Sequence, residues 1–155
     1  MNKVDMLLYE NGKFCACGFA FELPSGFLMN TEPSECFPRG FGAWAPGGNE
    51  IYVEWQIETG CRGTYEELCE LFIDGSGMFP INYISPIMIN GLPGHHVIYS
   101  DRNGQRYEIR LSSGGNNELS FRVKAEDTDI LTAINTPAVQ SAIQKIWPWK
   151  CEDTI

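Results

Sequence analysis

Basic residues are scarce in this chain of 155 residues: 11 lysines and arginines stand against 20 aspartates and glutamates, a net charge of −9. That sign is wrong for neutralising phosphates, so no nucleic-acid partner is expected. Long apolar runs are missing as well. No stretch approaches the roughly 20 residues of a membrane span, so no membrane partner is expected either. The opening residues Met1-Asn2-Lys3-Val4-Asp5 lack the basic and apolar regions of a signal peptide. A cytoplasmic protein with reduced cysteines is the expectation.

The familiar motifs of catalysis are also absent. There is no Walker A lysine, and Gly40-Phe41-Gly42 lacks the third glycine and the following helix of a dinucleotide fingerprint. Gly75-Ser76-Gly77 is not a nucleophile elbow, which needs G-x-S-x-G between strand and helix. The six cysteines, at 15, 17, 36, 61, 69 and 151, show no zinc-knuckle spacing. Cys15-x-Cys17 lies among apolar residues, where free cysteine packs as a small hydrophobe. His95 and His96 are the only histidines. Adjacent strand residues point to opposite faces, so the pair is poorly placed to share one metal ion. A catalytic histidine would need a nucleophile such as Cys61 or Ser76 brought close in space. No cofactor, metal ion or catalytic residue is expected, and the chain is read as a protein that is not an enzyme.

What is present is a dense series of strand signals. The length suits one domain, with a core over about residues 4–147 and an unassigned tail at 148–155. Asn11-Gly12 predicts a hairpin between Val4–Glu10 and Lys13–Leu23, because a type I′ turn needs positive φ at both central residues. On the second of these strands Cys15, Cys17, Phe19, Phe21 and Leu23 are expected to face the core. Thr31–Gly40 reads as a long loop. A second hairpin joins Phe41–Ala45 to Ile51–Glu58, where Ile51, Val53, Trp55 and Ile57 alternate with polar residues. Thr64 and Glu67 form a capping box for a helix over Tyr65–Asp74.

A meander follows: Ile84–Ile89, a turn Asn90–Pro93, Gly94–Tyr99, Gln105–Leu111 and Glu118–Ala125. Pairing Ser112 with Glu118 sets Leu111 against Leu119, Ile109 against Phe121 and Tyr107 against Val123. On the other face Glu108 meets Arg122, and Arg106 meets Lys124. Thr136 caps a last helix, with Pro137 at its first position and an apolar stripe of Val139, Ala142, Ile143, Ile146 and Trp147. The fold class expected is α+β: an antiparallel sheet of hairpins with helices packed against it.

Two groups of residues are candidates for binding. Phe37, Arg39, Phe41 and Trp44 concentrate aromatics and one arginine, the residue types of binding hot spots. Arg106, Arg110, Arg122 and Lys124 cluster bases on one sheet face of an acidic protein, which invites an acidic ligand.

Phe21-Glu22-Leu23-Pro24-Ser25-Gly26-Phe27, Ile51-Tyr52-Val53-Glu54 and Ile89-Asn90-Gly91-Leu92-Pro93-Gly94 leading into Tyr99 are landmarks of a resemblance. In this order, with the closing helix, the chain resembles the PsbP-like superfamily over about residues 13–147. The resemblance implies an α/β/α sandwich and a role in binding or assembly, and it transfers no site residue. The leading expectation is therefore a non-catalytic binding or interaction protein, an adaptor, chaperone-like or toxin-neutralising module whose partner is another protein. The alternatives are a small-molecule or anion binder, or an enzyme, anchored on the four bases, and a thiol or metal protein.

Overall fold

The computed structural model describes residues 8–10, 13–16, 18–29, 40–47, 50–58, 81–113, 117–126 and 128–149. The expected Asn11-Gly12 turn, the expected helix over Tyr65–Asp74, Cys17, most of the long loop and the last six residues lie outside them. Among the described residues there are two antiparallel sheets and two helices. The smaller sheet is built from β1 (Leu8–Glu10), β2 (Lys13–Ala16) and β3 (Phe19–Glu22), with β11 (Ile146–Pro148) added beside β3. The larger contains β4 (Leu28–Met29), β5 (Gly40–Trp44), β6 (Ile51–Glu58), β7 (Ile81–Ile89), β8 (Leu92–Asp101), β9 (Gly104–Ser112) and β10 (Glu118–Ala125). Its strand order is β4-β5-β6-β10-β9-β8-β7. Helices α1 (Ile130–Ile134) and α2 (Pro137–Gln144) follow β10.

The period-2 patterning places the large sheet as read. Ile51, Val53, Trp55 and Ile57 are all buried. Ser112 opposes Glu118, Leu111 opposes Leu119, Ile109 opposes Phe121 and Tyr107 opposes Val123. Their apolar face is covered by Ile130, Ala133, Val139, Ala142 and Ile143 from the two helices. Thr136 accepts from the Val139 N–H at 3.4 Å with Pro137 beside it, as its cap position requires. Asp129 caps α1 in the same way, accepting from Leu131 and Thr132.

Three expectations are corrected. The α+β class, in the form of an α/β/α sandwich, is not what forms: the described residues are mostly β. Its two described helices are five and eight residues long, belong to one C-terminal segment and cover a single face of the large sheet. That face is where the apolar side chains of β6, β9 and β10 point. The opposite face carries charged ladders instead. The last helix also stops early. Ile146, Trp147 and Pro148 leave it and pair with Phe21, Ala20 and Phe19. Strand pairing lets Ile146 bury completely against the small sheet.

The expected strand Lys13–Leu23 is two strands. Gly18 has φ +91°, a left-handed conformation that a side chain would strain, and the chain reverses there. Phe14 then opposes Phe21 and Cys15 opposes Ala20. Phe14, Ala16, Phe19 and Phe21 enter the main core, whereas Cys15 packs on the other side with Ala20 and Trp149. Cys15 is fully buried, as a packing thiol would be.

Candidate functional site

The β7–β8 hairpin sets the site. Asn90 and Gly91 have φ 49° and 86°, the pair of positive values of a two-residue type I′ turn. Ile89 therefore faces Leu92, and counting back along the ladder sets Ser85 opposite His96. His95 falls opposite Arg110 on the other face, so the two histidines are separated by the sheet. On β9, Tyr107 opposes Ile98 and stands diagonal to His96. The Asn90 side chain donates to the carbonyls of Gln144 (2.9 Å) and Ile146 (2.7 Å), which ties the hairpin tip to the end of α2.

This register produces a chain of four side chains. The Tyr83 and Ser85 hydroxyls are hydrogen-bonded at 2.8 Å. Ser85 Oγ and His96 Nε2 are 2.8 Å apart, as are His96 Nδ1 and the Tyr107 hydroxyl. Both tyrosine rings meet the imidazole edge-on, at 5.5 and 5.7 Å between centroids. Tyr83 is half exposed and Tyr107 is buried, so the chain leads inward from solvent. Burial lowers the His96 pKa and holds the imidazole neutral at pH 7. Burial, with Tyr83 nearby, raises that of Tyr107 and keeps its proton on.

Beside this chain lies a cavity of about 650 Å³ between β7–β9 and the two helices. Ile87, Ile89 and Ile98 form its sheet wall, and Ile130, Ile134 and Ile143 its helix wall; Tyr83, His96 and Tyr107 line it as well. Such a volume, with mostly apolar walls and a few convergent polar groups, is typical of small-molecule sites.

The four bases named from the sequence do share one face, and carboxylates of the sheet itself compensate two of them, Arg110 and Arg122. Glu108 is almost fully buried and accepts from Arg122 Nε at 2.6 Å and Arg110 Nε at 2.8 Å. Arg110 also donates to Glu118 at 3.3 Å and Arg122 to Glu54 at 3.4 Å. Lys124 sits over the Tyr52 ring at 4.9 Å, and Arg106 donates to the Gln105 carbonyl at 3.1 Å. Of the aromatic group, Phe37 and Arg39 lie outside the described residues, and Phe41 is placed on β5 opposite Trp55. Trp44 is 39% exposed and meets the same Tyr52 edge-on at 5.0 Å. The structure thus joins Trp44 to Lys124 through Tyr52, and Arg110 to Arg122 through Glu108.

His95 shares this polar face. Its pKa is lowered to about 4, first by burial and then by the Arg110 guanidinium, with Glu108 opposing. The unfolded chain therefore takes up this proton first, near pH 6.5. Stability should be full above about pH 6.5 and fall by about 2–4 kcal/mol as the pH drops towards 4. Urea unfolding at pH 7.5 and 4.5 measures this loss, and His95→Gln should remove most of the slope. An equal slope in the variant would assign the loss to other groups.

No protein-family model matches the chain, and no curated protein matches it. Among the described residues no three His, Cys, Asp or Glu side chains stand together as metal ligands. No helix among them is long and apolar enough to cross a membrane.

Sequence reasoning singled out His96 but looked to Cys61 or Ser76 for its partner. Ser85, Tyr83 and Tyr107 were missed. The signal was Asn90-Gly91: read as a two-residue turn, it sets Ser85 opposite His96 by counting alone.

Proposed function

We propose that this protein binds a small apolar molecule in the cavity between β7–β9 and the C-terminal helices. The observation that carries the reading is a half-open cleft walled by six isoleucines, with the Tyr83, His96 and Tyr107 side chains beside them. A ligand in this cleft gains dispersion contacts along its apolar walls. Of the two binding groups named from the sequence, the basic face has its two central arginines, Arg110 and Arg122, compensated by Glu54, Glu108 and Glu118. The aromatic group rests on Trp44 alone among the described side chains. Both support a ligand less well than the cavity does.

Filling the cavity tests this. Ile98 is on the sheet wall and only 8% exposed, so Ile98→Trp would project an indole into the space. With 2-naphthol as the probe, the wild-type melting temperature should rise with concentration by mass action. The variant should stay folded and lose at least tenfold in affinity. Ile134→Phe fills the helix wall independently, should Ile98→Trp perturb the sheet. Binding unchanged in both variants would place the probe elsewhere and sink the proposal.

A further inference from the structure

Both ring nitrogens of His96 are engaged by hydroxyls, Ser85 on Nε2 and Tyr107 on Nδ1. A neutral imidazole carries one ring proton, so it donates on one side and accepts on the other. The chain therefore has two arrangements. In the first, Tyr83 donates to Ser85, Ser85 donates to Nε2, and the Nδ1 hydrogen goes to the Tyr107 oxygen. The Tyr107 hydrogen is then left for a further acceptor. In the second every bond runs the other way. Tyr107 gives its hydrogen to Nδ1, and its oxygen is left to accept. The buried end of the chain can present a donor or an acceptor without moving a heavy atom.

Near neutral pH it presents no charge, because burial lowers the His96 pKa and raises that of Tyr107. No lysine, arginine, aspartate or glutamate lines the cavity among the described residues. An ion placed there would lose its hydration with nothing to compensate it. On the helix wall two amides are already engaged: Asn135 donates to the Leu131 carbonyl at 2.7 Å, and Gln140 to that of Ile134 at 2.7 Å. The sheet-wall chain is thus the polar feature best placed to orient a ligand.

We infer that the occupant is an uncharged molecule with an apolar body and one hydroxyl or carbonyl oxygen, and that this oxygen hydrogen-bonds to the Tyr107 end of the Tyr83–Ser85–His96–Tyr107 chain. This rests on the cavity being a binding site, as proposed above. A carbonyl selects the arrangement in which Tyr107 donates. A hydroxyl fits either one. Selectivity comes from the hydrogen bond that an oxygenated ligand adds at the Tyr107 end and a purely apolar one cannot make.

Four ligands sharing one aromatic body test it: naphthalene, 2-naphthol, 2-acetonaphthone and 2-naphthoate, titrated into the full chain near neutral pH. The two uncharged oxygenated compounds should bind about tenfold tighter than naphthalene, the worth of one net hydrogen bond. The carboxylate should bind at least tenfold weaker than 2-naphthol. Tyr107→Phe should abolish the preference over naphthalene while naphthalene still binds. Ser85→Ala, at a half-buried position, provides a milder variant and should reduce the preference. The ¹⁵N shifts of the His96 ring should move towards the Nδ1–H tautomer with 2-acetonaphthone and stay unmoved with naphthalene. Equal affinity of naphthalene and 2-naphthol, or tight binding of 2-naphthoate, overturns the inference and leaves the cavity as an unselective apolar site. Failure of all four to bind overturns the cavity reading itself.

Discussion

Truncating Glu108 to alanine should cost about 3 kcal/mol, near the lower end of what breaking a buried ion pair costs. The carboxylate has a side-chain exposure of 4%, and each oxygen takes one arginine, Arg122 at 2.6 Å and Arg110 at 2.8 Å. Those side chains are themselves mostly covered, at 25% exposure for Arg110 and 33% for Arg122. Removing the acid takes the shorter contact from both and leaves the longer ones, Arg110 to Glu118 and Arg122 to Glu54. These remaining carboxylates keep the loss from reaching the top of the range. Denaturant unfolding measures it, and a double-mutant cycle with Arg122→Ala isolates the pair. A loss under 1 kcal/mol would mean that solvent replaces the carboxylate freely and that the network is merely superficial.

Trp55→Ala should be the most damaging core substitution, at about 3–5 kcal/mol. Trp55 is fully buried. Its ring stacks on Phe21 at 5.3 Å with a 6° interplanar angle and meets Phe121 edge-on at 5.4 Å. Phe21 stacks in turn on Phe14 at 5.1 Å. The column Phe14–Phe21–Trp55–Phe121 therefore runs from the small sheet into the large one. Each aromatic pair adds about 0.5–1.5 kcal/mol beyond its buried area. Alanine leaves a cavity and removes the link between the sheets. Trp55→Phe keeps most of the ring and should lose far less. Labelling of Cys15, resolved by peptide mass spectrometry, gives a second reading. This thiol is buried between Ala20 and Trp149 on the small sheet, so it should become reactive in Trp55→Ala. Protection equal to wild type would show that the small sheet holds without the aromatic column.

Much of the large sheet was legible because its alternation is strict. The β9–β10 register followed from setting Ser112 against Glu118, and every apolar pair then fell into place. The cap at Thr136 was legible because Thr-Pro has a local physical meaning. The small sheet was not. Phe14 to Phe21 is almost continuously apolar, so period-2 patterning has no polar partner to mark a face. A glycine at position 18 could sit inside a strand or end it. The fate of Ile146 and Trp147 was hidden for a related reason: their spacing continues the stripe of α2, and only the unpaired edge of β3 draws them into a strand. Helix α1 carried a fair signal in Asp129 before Ile130 and Leu131, but it is one turn long.

The candidate site depends on long-range geometry and was legible only in part. His96 stood out by type. Its partners are fixed by the hairpin turn, and reading Asn90–Pro93 as one longer turn lost the register that brings Ser85 to it. The cavity forms where side chains of α1 and α2 stand beside those of β7–β9, a long-range placement that no local pattern encodes.

The most direct test of ligand binding uses ¹³C labels on isoleucine methyl groups, followed by NMR as 2-naphthol is added. Ile87, Ile89, Ile98, Ile130, Ile134 and Ile143 line the cavity, whereas Ile51, Ile57 and Ile146 are buried elsewhere in the core. Binding in the cavity should shift the first six saturably, with contacts to the probe, and leave the other three in place. Shifts confined to other residues, or none at all, would contradict it.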